Sequence, residues 1–391
     1  MTLRMLTAGE SHGRGLVAVL EGMPRGLEVS TSALELDLAR RRRGYGRSPR
    51  MKLERDEVRI LAGVRDGVTM GSPLALWIEN SGSSFWEEAM SFDEVPPEAM
   101  EARAIRSPRP GHADLPGCLK FLLRDAREVA ERASARSTAA RVACGSVCRL
   151  LLKELGVEVQ GAVCSIGRSY FGMPSSEEEW ERAFASDMGL WSSDLERTAV
   201  REIEGAAQEG DSLGGTFWVR AKGVPPGLGS LSEWDRRLDA RLAFALMSIP
   251  SVKGVEVGMG FALSSMRGSE AHDAFVIGPH GPRRTSNRSG GIDGGLSNGE
   301  DILLRASLKP IPTIPRSLQS FDVRDMSPSP SHSERADVCA VPAACVVGEA
   351  MVCLVLASVF LEEFGGGTLL ELKERVFGYR ELRRRWFEGV R

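Results

Sequence analysis

The sequence predicts an α+β fold in which long central helices lie between two antiparallel sheets, a β-α-β sandwich. Strand-like segments occur in hairpin-like sets before each long helical pattern, at 118–155 and 341–363, instead of alternating singly with helices. Such sets form antiparallel sheets, whose apolar faces need helices to cover them. Because no low-complexity linker divides the 391 residues, we expect one domain over 1–391.

The first strands repeat themselves about two hundred residues later. The apolar run 16–21 and its Pro/Gly turn resemble 216–222 and the turn after it. A helical pattern that ends in basic residues follows each, at 34–43 and at 234–241. Ser32 with Glu35 reads as the capping box of the first helix, and Gly44 as its stop.

Two later segments repeat in the same order. Residues 67–71 before the alternating strand 74–78 resemble 295–299 before the strand 302–308. The triplets 112–114 and 335–337 each precede one of the long helical patterns. We therefore expect two related pseudo-twofold halves, 1–160 and 205–391, with an acidic helical insertion at 165–205 between them.

The composition is that of a globular protein, with 42% hydrophobic and 26% charged residues. The most apolar stretch keeps twelve unbroken residues, fewer than the roughly 20 of a membrane span, so we expect a buried helix. The N-terminus lacks a signal-peptide pattern, and the seven cysteines read as reduced, buried thiols, which favours the cytoplasm. Cys144 and Cys148 lie one helical turn apart, but no histidine is nearby, so we expect no metal site.

Positive charge is concentrated in residues 40–50, which contain six arginines and no acid in a chain of net charge −3. Helix capping stabilises such charges by only about 0.3–1 kcal/mol each, so the cluster favours an anionic ligand. A solvated surface face is one alternative. A nucleic-acid groove is another, although aromatic residues are only 6% and the rest of the chain is acidic.

Two of the five histidines stand in sharply turning, glycine-flanked segments. His12 lies in Gly9-Glu10-Ser11-His12-Gly13, and His112 follows Arg109-Pro110-Gly111. Glycine lets the backbone approach a ligand closely, and imidazole exchanges protons near neutral pH, so both are candidate acid-base groups. Ser11 lacks the strand-turn-helix Gly-x-Ser-x-Gly context of a hydrolase nucleophile.

Taken in order, the motifs resemble those of the chorismate synthase family over nearly the whole chain. The three signature regions are Gly9–Gly13 with Glu21-Gly22-Met23-Pro24, Arg132–Arg136 with Ser137, Thr138 and Arg141, and Arg335-x-Asp337 before Glu349. The arginine run 41–47 and the segments 109–114, 210–215, 234–241 and 309–313 also match. Pro250-Ser251 departs from the family, where Asn-Ala is common.

The resemblance implies the anti-1,4-elimination of phosphate from 5-enolpyruvylshikimate 3-phosphate to give chorismate, with reduced FMN as cofactor and NADPH as a candidate reductant. Substrate and reduced flavin together carry a charge of roughly −6 to −7, which explains a need for many arginines. The family also implies a homotetramer without nucleic-acid or membrane partners.

The resemblance also assigns roles. His12 would assist phosphate departure, His112 would protonate the reduced flavin, and Asp337 with Ser11 would relay a proton from the flavin. The implied FMN contacts are Arg132, Ala133, Ser134, Pro250, Ser251, Gly294, Lys309, Pro310, Ile311, Pro312, Thr313 and Arg335. Substrate or NADPH would bind Arg41 and Arg47, and further substrate contacts would be Arg109 and Arg136.

Two other classes remain as alternatives. A phosphate-binding regulatory or RNA-binding protein would use the arginine run as an electrostatic footprint, with affinity that falls steeply with salt. A flavin-dependent oxidoreductase would share the FMN site but consume one reductant for each turnover.

Overall fold

The computed structural model describes residues 2–48, 55–278, 281–334 and 336–388. The strands are β1 Arg4–Ala8, β2 Gly15–Glu21, β3 Val58–Ala62, β4 Val64–Arg65, β5 Val68–Thr69, β6 Leu74–Glu79, β7 Glu158–Ile166, β8 Ser169–Tyr170, β9 Gly215–Lys222, β10 Val252–Val257, β11 Phe275–Gly278, β12 Gly281–Arg284, β13 Ile292–Asp293, β14 Leu296–Ser297, β15 Ile302–Leu308, β16 Gln319–Phe321 and β17 Pro328–Pro330. The helices are α1 Thr31–Arg42, α2 Pro97–Arg103, α3 Asp114–Phe121, α4 Arg127–Ala133, α5 Thr138–Glu154, α6 Glu177–Ala185, α7 Ser193–Gln208, α8 Leu238–Met247, α9 Gly268–Ala271, α10 Val341–Phe364 and α11 Leu369–Glu388.

Two antiparallel sheets enclose the long helices. One has the strand order β1-β2-β6-β3 and the other β10-β15-β9-β7-β8. In β6 and β15 every second residue is buried, as a sheet with one covered face requires. Helix α5 packs on the first sheet through β2 and β6, α10 packs on the second through β7 and β9, and the two helices pack on each other. The predicted α+β class is confirmed.

Helix α10 forms the centre of the core. Its length and apolarity suffice for a membrane span, but 94% of its most apolar window is buried inside the molecule, as expected for a core helix. The helix approaches its neighbours closely at glycines. A Cβ on Gly145 of α5 would lie 2.6 Å from the Ala350 Cα, and one on Gly348 would lie 2.5 Å from the Phe217 ring. Larger residues at these positions would push the layers apart.

A cluster of four charged side chains lies within this core. Arg40 and Arg149 both donate to the Glu349 carboxylate, which is fully buried in α10. Asp37 accepts from both arginines, at 3.1 Å from Arg40 and 3.0 Å from Arg149. A charge buried inside a protein is costly unless it is paired. The four groups therefore fix the positions of α1, α5 and α10 relative to one another, because only one arrangement of the helices pairs all four charges.

Three helix predictions need correction. Helix α1 begins at Thr31, because the side chain of Ser30, not that of Ser32, caps it by accepting from the Ala33 N–H. The pattern 118–155 is not one helix but α3, α4, a 3₁₀ turn and α5, since Leu122 adopts a left-handed conformation and Ser134 an extended one. The helix predicted from the pattern 234–241 begins only at Leu238.

The seven cysteines are buried free thiols. Within the described parts of the chain, no group of histidine, cysteine and acidic residues has the arrangement of a metal site. The predicted insertion contains α6 and most of α7.

We propose that the two sheets arose from one repeated unit. The order β1-β2-β6-β3 in the first sheet corresponds to β7-β9-β15-β10 in the second. In both orders the strand at one end, β1 or β7, comes before the other three along the chain. The turns after β2 and β9 also share a contact: the Thr69 hydroxyl bridges the Pro24 carbonyl and the Leu27 N–H, as the Ser297 hydroxyl bridges Pro225 and Leu228. The matching order and hydrogen bonds support related halves.

Candidate active site

A cavity of about 710 Å³ opens beside the N-terminal turn of α10. It is lined by these residues predicted from the sequence: Ser11, His12, Arg41, Arg47, Arg109, His112, Ala133, Ser134, Arg136, Pro250, Ser251, Lys309, Ile311, Pro312, Thr313 and Asp337. The structure thus brings together residues from segments up to three hundred positions apart. The volume of the cavity is in the range of roughly 300–1,000 Å³ typical of small-molecule sites.

The His12 segment is held by an asparagine that the sequence analysis missed. The buried Asn80 amide donates to the carbonyls of Glu10 and Gly13, at 3.0 and 2.7 Å, and its oxygen accepts from the Arg136 Nε at 2.7 Å. Gly9 has φ +106°, and a Cβ there would lie 2.4 Å from the Gly15 carbonyl oxygen. The turn therefore requires glycine and places His12 on a fixed backbone.

Glu131 binds His12 at two points. One carboxylate oxygen lies 2.7 Å from the His12 Nδ1, and the other accepts the His12 backbone N–H at 2.8 Å. Burial alone raises the pKa of Glu131, but the hydrogen bonds and charge of His12, with the charge of Arg127, lower it overall. The Ser11 hydroxyl, next in the chain, donates to the Ser134 hydroxyl at 3.0 Å.

A second histidine-carboxylate pair lies in the same cavity. The His112 Nδ1 is 2.5 Å from Asp114, which also accepts from the Arg109 Nε at 2.7 Å. Arg109 in turn donates to the Thr313 hydroxyl. Burial raises the pKa of Asp114, but hydrogen bonds from Arg109 and His112 hold it well below its usual range. The carboxylate is therefore ionised and orients both side chains.

The arginine run is divided between several partners. Arg41 binds Asp56 at 2.7 Å and Arg47 binds Asp337 at 2.8 Å, and both line the cavity. Arg40 instead belongs to the core cluster, and Arg43 pairs with Asp187 at the surface. Residues 49 and 50 lie outside the described residues. Among the described arginines of the run, those that line the cavity are Arg41 and Arg47.

Asp337 is fixed on both oxygens. Besides the Arg47 contact, it accepts the Ser48 backbone N–H at 2.6 Å. The loop after α1 therefore closes on the segment that precedes α10. Asp56 plays a comparable part for Arg41 and Arg136, whose charges lower its pKa to about 2 against the opposing effect of burial.

Four predicted cofactor residues are not placed in the cavity wall. Arg132 is exposed and donates to the Thr7 and Gly9 carbonyls, because the break at Ser134 separates it from the buried Arg136. Gly294 lies in the turn between β13 and β14, and Pro310 also does not line the cavity. Arg335 lies outside the described residues.

Several residues of the cavity wall were not predicted from the sequence, chiefly Ser48, Arg127, Glu131, Lys253 and Glu334. Glu131 directly precedes the signature 132–136, a position that could have drawn attention to it. Lys253 lowers the pKa of Lys309, after the larger effect of burial. No motif distinguished Lys253.

The lining carries a large excess of positive charge. Among the described residues, its cationic side chains are Arg41, Arg47, Arg109, Arg127, Arg136, Lys253 and Lys309. The described carboxylates of the wall are Glu131, Glu334 and Asp337, and the buried Asp56 and Asp114 bind three of the arginines from behind it. Apolar side chains from α10 and β15 complete the wall. The arrangement suits a polyanionic ligand that also has an apolar surface.

Comparisons with known proteins identify the family of this chain. A family model described as chorismate synthase matches residues 3–361. A chorismate synthase from Desulforudis audaxviator is 50% identical over 393 residues, covering 100% of this chain and 98% of its own. One from Acidothermus cellulolyticus is 51% identical over 385 residues, covering 96% and 98%. A crystal structure of a chorismate synthase matches with a TM-score of 0.79 and 38% identity, over 98% of this chain and 99% of its own. The chain therefore belongs to the chorismate synthase family of lyases.

Proposed function

We propose that the protein catalyses the anti-1,4-elimination of phosphate from 5-enolpyruvylshikimate 3-phosphate to give chorismate, and that it requires reduced FMN. The observation that carries this proposal is one cavity whose described wall holds seven cationic side chains and two histidines, each bound to a carboxylate. Phosphate and carboxylate groups need such cations, and proton transfer needs such histidines.

The residues present fit a reduced flavin beside the substrate. The cavity has both an apolar wall, with Ala343, Ala344 and Val347 of α10, and a cationic one. With the buried Asp56 and Asp114 counted, the described residues give the wall an excess of two positive charges, or four with both histidines protonated, which offsets part of the roughly −6 to −7 expected of the two ligands. When bound, reduced FMN would supply an electron-rich ring and the base for the carbon-bound proton. Ala133, Ser134, Pro250, Ser251 and Lys309–Thr313 are its proposed contacts.

Each acid-base residue has a separate task in this proposal. His12 donates a proton to the departing phosphate, which lowers the charge on the leaving group. His112, whose Nδ1 atom is bound to Asp114, would donate a proton to the cofactor. Asp337, with Ser11, would relay a proton from the cofactor. The Arg47 and Ser48 contacts fix the position of the Asp337 carboxylate.

Arg41, Arg47, Arg109 and Arg136 are the proposed substrate-binding cations. Three of them, Arg41, Arg109 and Arg136, are less than 10% exposed, and the Arg47 side chain is 9% exposed. Each is held by a carboxylate, so little conformational entropy is lost when the substrate binds. Their place in the same cavity as both histidines supports substrate binding over NADPH binding for Arg41 and Arg47.

An anaerobic assay tests the activity. We expect dithionite-reduced FMN, and not oxidised FMN, to support release of phosphate and the appearance of chorismate absorbance. Absence of both products would reject the proposal. The ratio of flavin oxidised to product formed separates an elimination, with a ratio near zero, from an oxidoreductase, which consumes one reductant for each turnover.

We predict that His112→Ala binds substrate normally but loses turnover by about 10²–10⁴-fold, the usual contribution of an acid-base group. The Asp114 carboxylate keeps its Arg109 contacts in this variant, so the fold should persist. His272→Ala, at an exposed histidine outside the cavity, is the matched control. Equal kcat in His112→Ala and the control would remove His112 from the mechanism.

A cytoplasmic location, a homotetrameric assembly and a supply of reduced flavin by NADPH remain proposals from the family resemblance. Sedimentation at several concentrations tests the assembly. NADPH oxidation in the presence of FMN tests the reductase activity.

A further inference from the structure

The contacts of His12 leave its imidazole one orientation. The Glu131 carboxylate binds the Nδ1 atom and the backbone N–H of the same residue, at 2.7 and 2.8 Å. The Ser11 N–H also donates to the Glu131 carbonyl at 3.0 Å, so the turn is tied to α4 by backbone and side chain. A rotation of the ring would break the Nδ1 contact while the backbone stayed in place.

An aromatic ring covers one face of this imidazole. Trp86 stacks on His12 with centroids 3.9 Å apart and planes 25° apart. The indole is itself held, because the Arg103 and Arg127 guanidinium groups lie 4.1 and 5.0 Å from its centroid. The stack excludes water from that face of His12 and restricts the ring further.

Glu131 is in turn held in place by a chain of charges. Arg127, one turn earlier on α4, lies 3.4 Å from the Glu131 carboxylate and 2.8 Å from Glu334. Glu334 also binds His332 at 2.9 Å. Within the described parts of the chain, the charged or titratable groups that contact the Glu131 carboxylate are His12 and Arg127. An ionised carboxylate is an acceptor only, so the Nδ1 of His12 must carry the proton of their hydrogen bond.

We propose that Glu131 is the positioning residue for His12: it keeps a proton on Nδ1, fixes the ring, and directs proton exchange with a ligand to Nε2. The proton would leave Nε2 for a phosphate oxygen, after which the ring is neutral and retains Nδ1–H. The identity of that acceptor rests on the proposed function, whereas the tautomer and the orientation do not.

Nitrogen NMR of the resting protein, labelled with ¹⁵N-histidine, tests the tautomer without any turnover. Five histidines give few signals, and His12→Gln identifies the one that belongs to His12. We expect neutral His12 in the wild-type protein to show a protonated Nδ1 and an unprotonated Nε2. In Glu131→Gln the amide offers both a donor and an acceptor, so the preference should weaken. A wild-type ring protonated on Nε2 would overturn the proposal. This measurement is made on the wild-type protein, and it needs the folded His12→Gln variant only to assign the signal.

Kinetics test the consequence. Removal of the carboxylate partner of a functional histidine costs about tenfold to 10⁴-fold. We expect Glu131→Gln to lose kcat in this range with KM close to the wild-type value, and Glu131→Asp, which keeps the charge, to lie between. Glu128→Gln, an exposed carboxylate on the same helix, should match the wild type.

The experiments distinguish failure of the positioning role from failure of the proposed function. An unchanged kcat and pH profile in Glu131→Gln would contradict the positioning role. If the wild-type protein performs no elimination while His12 shows the Nδ1–H tautomer, the proposed function fails and the pairing of Glu131 with His12 stands.

Discussion

Asp56 shows how this protein keeps cations in place for a ligand. Its carboxylate is fully buried between Arg41 of α1 and Arg136 of the turn before α5. Buried ion pairs contribute little net stability, but they are strongly destabilising when one partner is removed. The contribution of Asp56 is therefore geometric, because it holds two arginines from distant segments side by side at the cavity.

This arrangement predicts a pH-dependent defect in Asp56→Asn. The folded-state pKa of Asp56 is lowered from 3.8 to about 2, so the ionised carboxylate stabilises the fold above pH 4 and this contribution is lost as the pH falls toward 2. We expect Asp56→Asn to lower the free energy of unfolding by about 3–5 kcal/mol at neutral pH. The difference from wild type should shrink by on the order of 2 kcal/mol across the acid range.

Urea denaturation at a series of pH values from 7 to 2 measures this difference. Asp187→Asn removes an exposed carboxylate that also pairs with an arginine, and should have little effect at any pH. A defect of Asp56→Asn that does not change with pH would show that its charge is not responsible.

Single residues were predictable from sequence where local context marked them. Glycine-flanked turns indicated His12 and His112, and the structure places both in the cavity. Local context did not indicate Asn80 or Asp56, and it marked Glu131 only by its place before the signature 132–136, because each acts through a partner 67 to 119 positions away. Such contacts arise only when the sheets and helices assemble.

At the scale of elements, the approach of α5 to α10 depends on missing side chains. Gly145 and Gly205 are both helical glycines, yet a Cβ on Gly145 meets the Ala350 backbone and one on Gly205 meets nothing within 4 Å. We expect Gly145→Ala to destabilise the protein by about 1–3 kcal/mol through overpacking. Gly205→Ala should stabilise it by about 0.5–1 kcal/mol, because alanine loses less entropy in a helix. Equal effects in chemical denaturation would contradict the close approach.

The four strands predicted at 16–21, 74–78, 216–222 and 302–308 and the helix α10 agree with the structure within a few residues, since their apolar periodicity is strong. The other strands were not predicted. The helix pattern 118–155 was wrong because propensity continues through positions where tertiary contacts interrupt the helix. At Ser134 the backbone becomes extended, and the Ser134 hydroxyl accepts from both Ser11 and Arg136. The break in the helix therefore lies at a residue that lines the cavity.

At the scale of the whole molecule, the layered α+β fold followed from the grouping of strands before helices. The internal repeats led to the expectation of two related halves, which stays a proposal that the corresponding strand orders support. The second sheet begins with β7 at Glu158–Ile166, before the boundary predicted at 205. The shape of the cavity did not follow, because it depends on how loops from both halves meet beside α10.

Because all seven cysteines are buried, the rate at which their thiols react reports how often the folded protein opens. Burial raises the pKa of Cys144 and of Cys353 to about 12, so almost no thiolate exists in the folded state, and the thiolate is the reactive form. We expect a thiol reagent to label the native protein very slowly and the denatured protein at all seven positions. Rapid labelling of the native protein would contradict the packing. Ligands that bind the folded state should slow labelling further, so the rate would report cofactor and substrate affinity without any catalytic assay.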